Sequence, residues 1–171
     1  MKNILIIGGT GTISTSITDL LAKDPQVKLT LIDRCNHNKT LAPFIEILIS
    51  EINQPETSKT LLKDRIFDCV IDFILYTSAQ AQARIGIFCD KMKQFIFIST
   101  VVCLDHEHHL IINKEISRGH RFSLYVQNKA AAELIFLEAI STSLSQSPSY
   151  DLHKPTVDSE FLFQSKDKAL G

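Results

Sequence analysis

The stretch that most restricts what this chain can fold into is "ILIIGGTGTIS", Ile4 to Ser14. Four apolar residues suited to a buried parallel strand run directly into Gly8-Gly9-Thr10-Gly11, and an amphipathic stretch from Thr12 to Lys23 follows. A strand, a tight glycine turn and a helix form the unit that presents backbone N–H groups to a pyrophosphate. The pattern is Gly8-x-x-Gly11-x-x-Ser14, with an extra glycine at position 9. Gly8 would make the turn after the strand. Gly11 would let the phosphates approach the backbone, and Thr12, Ile13 and Ser14 would open the helix whose N–H groups face them. The third position mainly needs a small side chain so that helix and strand pack closely, and serine is only slightly larger than glycine. The plainer alternative is a glycine-rich turn that holds no nucleotide. Placement immediately after the first strand favours the dinucleotide site.

The rest of the chain repeats short apolar runs with helical stretches between them. "VKLTLID" (Val27 to Asp33), "FIEILIS" (Phe44 to Ser50), "FDCVIDFILY" and "QFIFIST" (Gln94 to Thr100) read as further strands. Helices are expected in "PETSKTLLKD", "AQAQARIGIFCDKM" and "SLYVQNKAAAELIFLEAI", the last with an apolar stripe through Ala130, Leu134, Leu137 and Ile140. Strands alternating with helices predict an α/β fold with a parallel sheet covered on both faces. Right-handed crossovers give a Rossmann-type doubly wound sheet, three layers and about five strands, in the order 3-2-1-4-5. Residues 1–140 form the expected dinucleotide-binding domain. From Ser141 the chain turns Ser-rich, so 141–171 reads as linker and tail, with no further strand–helix unit and no complete substrate domain.

Asp33 ends the second expected strand, about twenty residues beyond the loop, where an acid binds the ribose 2′-hydroxyl of NAD. The alternative is a strand-end acid that simply faces water. Arg34 follows, and an arginine there can hold the 2′-phosphate of NADP. A carboxylate repels that phosphate while Arg34 can swing away, so NAD is favoured and NADP stays open.

Tyr125 and Lys129 stand at i and i+4, on one face of the last helix. Free tyrosine titrates near ~10, so acid–base work at neutral pH needs its phenolate stabilised, which a nearby lysine charge does. Taken singly, Tyr125 would be a packing residue and Lys129 a solvated one. Ser99 and Thr100 end the fifth strand, at the sheet edge where open α/β folds bind ligands. Alone they would satisfy their own backbone; beside the tyrosine–lysine pair, a hydroxyl there can bond a substrate carbonyl or alcohol.

"ILIIGGTGTIS", "LTLIDR", "FIFIST" and "YVQNK", in this order, resemble the extended short-chain dehydrogenase/reductase family, in its NAD-dependent epimerase/dehydratase branch. The resemblance covers roughly residues 1–140. It implies that Gly8, Gly11 and Ser14 are the glycine fingerprint, that Asp33 binds the adenosine ribose, and that Glu51 and Ile52 lie near adenine. Phe73 and Ile74 would line the cofactor. Thr100, Tyr125 and Lys129 would be the catalytic group, with Tyr125 as acid/base and Lys129 binding the nicotinamide ribose. The implied reaction is hydride transfer on a hydroxyl-bearing small molecule such as a nucleotide sugar, and a homodimer through the later helices is the implied assembly. Family members continue into a sixth strand and a substrate-binding domain, which nothing past Ile140 resembles. An apolar fifth strand without a neighbour would expose unpaired N–H and C=O groups, so the tail, a second copy or a companion chain is expected to cover it. Dinucleotide binding without turnover, or a shortened inactive family member, are the alternatives.

Composition removes other classes. The formal net charge of −1 gives no electrostatic reason to expect nucleic acid or an anionic membrane as partner. The four cysteines (Cys35, Cys69, Cys89, Cys103) form no CxxC pair and read as cytosolic packing thiols, with no metal site. "HEHH", His106 to His109, lacks HExxH spacing and reads as a solvated loop that would at most border a substrate. "ILII" is too short for a signal or a membrane span, so a cytoplasmic enzyme is expected.

Overall fold

Alternation along β1 (Lys2–Ile7) decides the architecture. Leu5 and Ile7 join one buried cluster while Ile4 and Ile6 join another, so both faces of this strand need cover. The computed structural model of the chain describes residues 1–34, 43–100, 123–145 and 156–157. In chain order β1 is followed by α1 (Ser14–Ala22), β2 (Val27–Asp33), β3 (Glu46–Ile49), α2 (Pro55–Leu61), β4 (Phe67–Asp72), α3 (Ser78–Phe88), β5 (Met92–Phe97), α4 (Leu124–Ser145) and β6 (Thr156–Val157). Ile17, Leu21 and Ala22 of α1 cover the Ile4/Ile6 face. Ala81, Ile87 and Phe88 of α3, with Ala132 and Phe136 of α4, cover the Leu5/Ile7 face.

The strands are all parallel and lie in the order β3-β2-β1-β4-β5-β6. The first five reproduce the order 3-2-1-4-5 expected from right-handed crossovers. β6 was not read as a strand, yet the tail was one of the three covers expected for β5: Thr156 and Val157, two residues of the stretch read as a tail, pair with Gln94 and Phe95. Two residues are too short to register as a hydrophobic period, and it is the open ladder of β5 that supplies their partner. α4 also runs five residues past Ile140 to Ser145.

Two further expectations are corrected. β5 stops at Phe97, although Ile98 N–H still donates to the Asp72 carbonyl at 3.1 Å, so Ser99 and Thr100 lie just beyond the strand. On α4 the buried face is rotated from the apolar stripe: Val126, Lys129, Ala130, Ala132, Glu133 and Phe136 are buried, whereas Leu134 is 54% exposed. A hydrophobic period assigns every charge to water. Here Lys129 and Glu133 find polar partners inside, which reverses that assignment. Phe136 packs against Phe95 and Phe97 at centroid distances of 5.1 and 5.7 Å, fixing α4 over the carboxyl half of β5.

Candidate functional site

The site begins where β1 ends. Gly8 has φ +76°, a conformation that costs a residue with a side chain, and a Cβ there would run into Ile74. A Cβ on Gly9 would lie 2.8 Å from Leu31 Cδ2 and 3.1 Å from Thr18 Oγ1, so the turn is pressed against β2 and α1. Around Gly11 there is more room, the nearest atom to an added Cβ being Ser14 Oγ at 3.3 Å. The serine in third place does more than stay small. Ser14 is buried, and its hydroxyl donates to the Gly8 carbonyl at 2.7 Å, with the Gly11 carbonyl at 3.3 Å. Thr15 Oγ1 donates to Gly11 O and Thr18 Oγ1 to Gly9 O, at 2.6 and 2.9 Å, so hydroxyls of α1 hold the carbonyls of the turn. Among the described residues no side chain caps the N-terminus of α1, and its first turn carries no acid, so the positive end of the helix dipole points at the turn.

Beside this turn lies a cleft of about 110 Å³ bounded by Gly8, Thr10, Gly11, Asp33, Ser50 and Ile52, with Ile32, Arg34, Glu51 and Ile74 completing it. That is well under the roughly 300–1,000 Å³ of a pocket for a whole drug-sized ligand, so it matches one part of a larger molecule. Thr10 Oγ1 donates to Asp33 Oδ2 at 2.5 Å, which ties the glycine turn to the end of β2. Arg34 NH1 lies 3.7 Å from Glu51 Oε2, and Glu51 Oε1 accepts from Asn53 N and Nδ2 at 3.3 and 3.0 Å. The arginine that complicated the choice between cofactors is thus drawn toward the β3 side of the cleft. Of the two residues after β4, Ile74 lines the cleft, while Phe73 packs with the Ile4/Ile6 cluster. Phe73 is therefore not among the cleft residues.

A brace behind the cleft escaped the sequence reading. Arg84 on α3 and Asp72 at the end of β4 are both fully buried and paired, Nε to Oδ2, at 2.8 Å. Arg84 NH1 also donates to Ile52 O at 3.1 Å and NH2 to Asn53 Oδ1 at 3.0 Å, while Asp72 Oδ1 accepts from the N–H groups of Ile74 and Leu75. One ion pair therefore fixes both apolar walls, Ile52 and Ile74. A sequence signal existed nearby: Thr77 and Gln80 form a capping box at the start of α3, and Gln80 Oε1 also accepts from Tyr76 N at 2.7 Å.

The expected catalytic residues gather at the same edge of the sheet, past β4 and β5. Lys129 is buried, with Nζ donating to Leu75 O at 2.6 Å and Ile98 O at 2.8 Å, 4.7 Å from the Phe97 ring centroid. Tyr125 is about half exposed and stacks on Tyr76, with ring centroids 5.3 Å apart. Thr100 is half-buried after β5. Its neighbour Ser99 donates to the buried Glu133, one helical turn beyond Lys129. Cys35, Cys103 and the His106–His109 cluster lie outside the described residues. Among the described residues no group of histidines, cysteines and acids could hold a metal, and no helix is long and apolar enough to cross a membrane.

No protein-family model and no curated protein matches the sequence. Solved structures do. dTDP-glucose 4,6-dehydratase from Bacillus anthracis, in complex with NAD, is 19% identical with a TM-score of 0.69, over 92% of this chain and 54% of that one. The Bordetella bronchiseptica enzyme WbmH, in complex with NAD+, is 18% identical with a TM-score of 0.65, over 81% of this chain and 53% of that one. UDP-glucose 4-epimerase from Thermotoga maritima, with UDP-glucose, is 18% identical with a TM-score of 0.66, over 91% of this chain and 54% of that one. The chain therefore has the doubly wound α/β fold of these dehydratase and epimerase structures and spans about half their length.

Proposed function

We propose that the chain is an NAD-binding member of the epimerase/dehydratase branch of the extended short-chain dehydrogenases/reductases, and that it serves hydride transfer on a hydroxyl-bearing substrate such as a nucleotide sugar. The observation that carries the reading is that two groups of residues share one sheet edge. The glycine turn and Asp33 stand past β1 and at the end of β2, while Thr100, Lys129 and Tyr125 stand past β4 and β5 or on the helix above them. That edge, at the point where the strand order reverses, is where open α/β sheets bind dinucleotides. The residues fit such a molecule: the N-terminus of α1, which no described side chain caps, faces the turn, and Gly8 keeps a backbone only glycine adopts readily. Solved neighbours holding NAD support the same reading.

In this reading Asp33 accepts the ribose hydroxyls and the N-terminus of α1 takes the diphosphate. Ile52 and Ile74 enclose adenine. Arg34, drawn to Glu51, stays clear of the 2′ position, which favours NAD over NADP. Thr100 bonds the substrate oxygen, Tyr125 exchanges a proton with it, and Lys129 supplies positive charge and hydrogen bonds at the nicotinamide ribose. The nicotinamide supplies the hydride acceptor. Titrating the purified chain with NAD and NADP by calorimetry tests the site, with tighter NAD binding expected. Tyr125→Phe is expected to abolish turnover with NAD affinity nearly unchanged. Unchanged turnover would overturn the role of Tyr125, and absence of binding would overturn the whole reading. A second reading, dinucleotide binding without turnover, is favoured by Lys129 itself, whose ammonium is engaged by two backbone carbonyls as a structural anchor would be. It predicts binding in the same titration and no turnover with any sugar nucleotide.

A further inference from the structure

One polar atom in the cleft is at odds with its surroundings. Ser50 follows β3, and its backbone N–H donates to Asp33 O at 3.1 Å, which fixes the residue beside the acid. The residue lines the cleft, yet its hydroxyl is hidden from solvent and has no hydrogen-bond partner among the described residues. Around the turn, by contrast, the hydroxyls of Thr10, Ser14, Thr15 and Thr18, none of them exposed residues, all donate. A buried hydroxyl left unpaired costs stability, and native chains seldom keep one without a use.

We infer that Ser50 is an adenosine-binding residue whose hydroxyl is satisfied only when the ligand is present; the inference rests on the dinucleotide reading of the cleft. Three features support it. Ser50 stands between Asp33, which ends the neighbouring strand, and Glu51, so its side chain is flanked by the polar rim of the cleft. The walls are apolar, formed by Ile32, Ile52 and Ile74, which suits the flat faces of a purine and leaves the polar edges of the ligand to the rim. Finally, serine turns about its single χ1 bond between staggered positions, so the hydroxyl can leave its hidden position without moving the backbone held by Asp33. As both donor and acceptor, it can pair with either kind of polar atom on adenosine.

The test compares wild type with Ser50→Ala, using NAD and ADP-ribose as probes in calorimetric titrations, together with the thermal stability of each protein without ligand. ADP-ribose carries the adenosine half and lacks nicotinamide. The alanine variant is expected to bind both probes about threefold to tenfold more weakly, by the same factor, since the lost bond lies in the half they share. Without ligand its melting temperature is expected to equal or exceed that of wild type, because no bond is lost and an unpaired hydroxyl is removed. Equal affinity of the two proteins would overturn the inference while leaving the cleft a dinucleotide site. Weaker NAD binding with unchanged ADP-ribose binding would also overturn it, and so would a lowered melting temperature, which marks a structural hydroxyl. Failure of wild type to bind either probe would instead remove the dinucleotide reading, and this inference with it.

Discussion

Replacing Arg84 by methionine would test the brace behind the cleft. The guanidinium is fully buried and makes three hydrogen bonds, to Asp72, the Ile52 carbonyl and Asn53, so nothing of it can be recovered by water once it is gone. Methionine keeps much of the apolar volume but leaves the Asp72 carboxylate in the interior, held only by the N–H groups of Ile74 and Leu75. Removing one partner of a buried ion pair costs about 3–5 kcal/mol, because the survivor is an uncompensated charge. Against a total stability of about 5–15 kcal/mol that is a large share. With a urea dependence of about 2 kcal/mol per molar, the midpoint should fall by about 1.5–2.5 M. Arg84→Lys keeps the charge, but one ammonium cannot serve three separated acceptors, so its midpoint should lie between those of methionine and wild type. The assay is equilibrium urea unfolding followed by circular dichroism. A loss below about 1 kcal/mol in the methionine variant, with unchanged urea dependence, would refute the argument that this pair holds the two walls.

Ser14→Ala removes the donor to the Gly8 carbonyl and should cost about 1–3 kcal/mol. Ser14→Gly restores the usual third glycine of the fingerprint, yet it should be worse by up to about 1 kcal/mol more, because glycine lowers helix propensity at the start of α1; melting curves of the two variants check the order. Glu46 on β3 is held below the ordinary carboxylate range by the fork of Arg65, whose NH2 and NH1 lie 2.6 and 2.8 Å from its oxygens. A carboxyl with a lowered folded-state pKa stabilises the fold above its ordinary pKa, near 4.5, and loses that contribution as pH falls through the lowered value. Glu46→Gln should therefore flatten the acid side of the stability–pH curve below about pH 5 and leave its shape near pH 7 unchanged, as read by melting temperature across a pH series.

The sheet order was legible in the sequence because each βα unit announces itself. Apolar runs of strand length alternate with helical stretches, and the handedness of the crossovers does the rest. The glycine turn was legible for the same local reason, since strand, glycines and helix are contiguous. The polar interior was not. Arg84 looks like an ordinary solvated position in "AQARIGIF", and only the fold brings Asp72 and the Ile52 carbonyl to it from 12 and 32 residues away. Lys129 and Glu133 escaped the apolar stripe for the same reason: their partners come from the ends of β4 and β5. Ser50 could not be singled out at all, because what distinguishes it is the lack of a partner, a property of the packed structure.

The central position of β1 has a consequence for how the protein is made. β1 is flanked by β2, which follows it closely, and by β4, whose Cys69 pairs with Ile4 from 65 residues further along. During synthesis the β1–β2 half of the sheet can form early, with Gly8, Thr10 and Asp33 already adjacent. Its other edge stays open until β4 has left the ribosome, several seconds later at about 5–20 residues per second. The wall residue Ile74 and the Arg84 brace arrive with that later half. An arrested nascent chain ending before β4 would thus carry the turn and Asp33 but expose the apolar edge of β1, a natural site for a chaperone to hold until the second half docks.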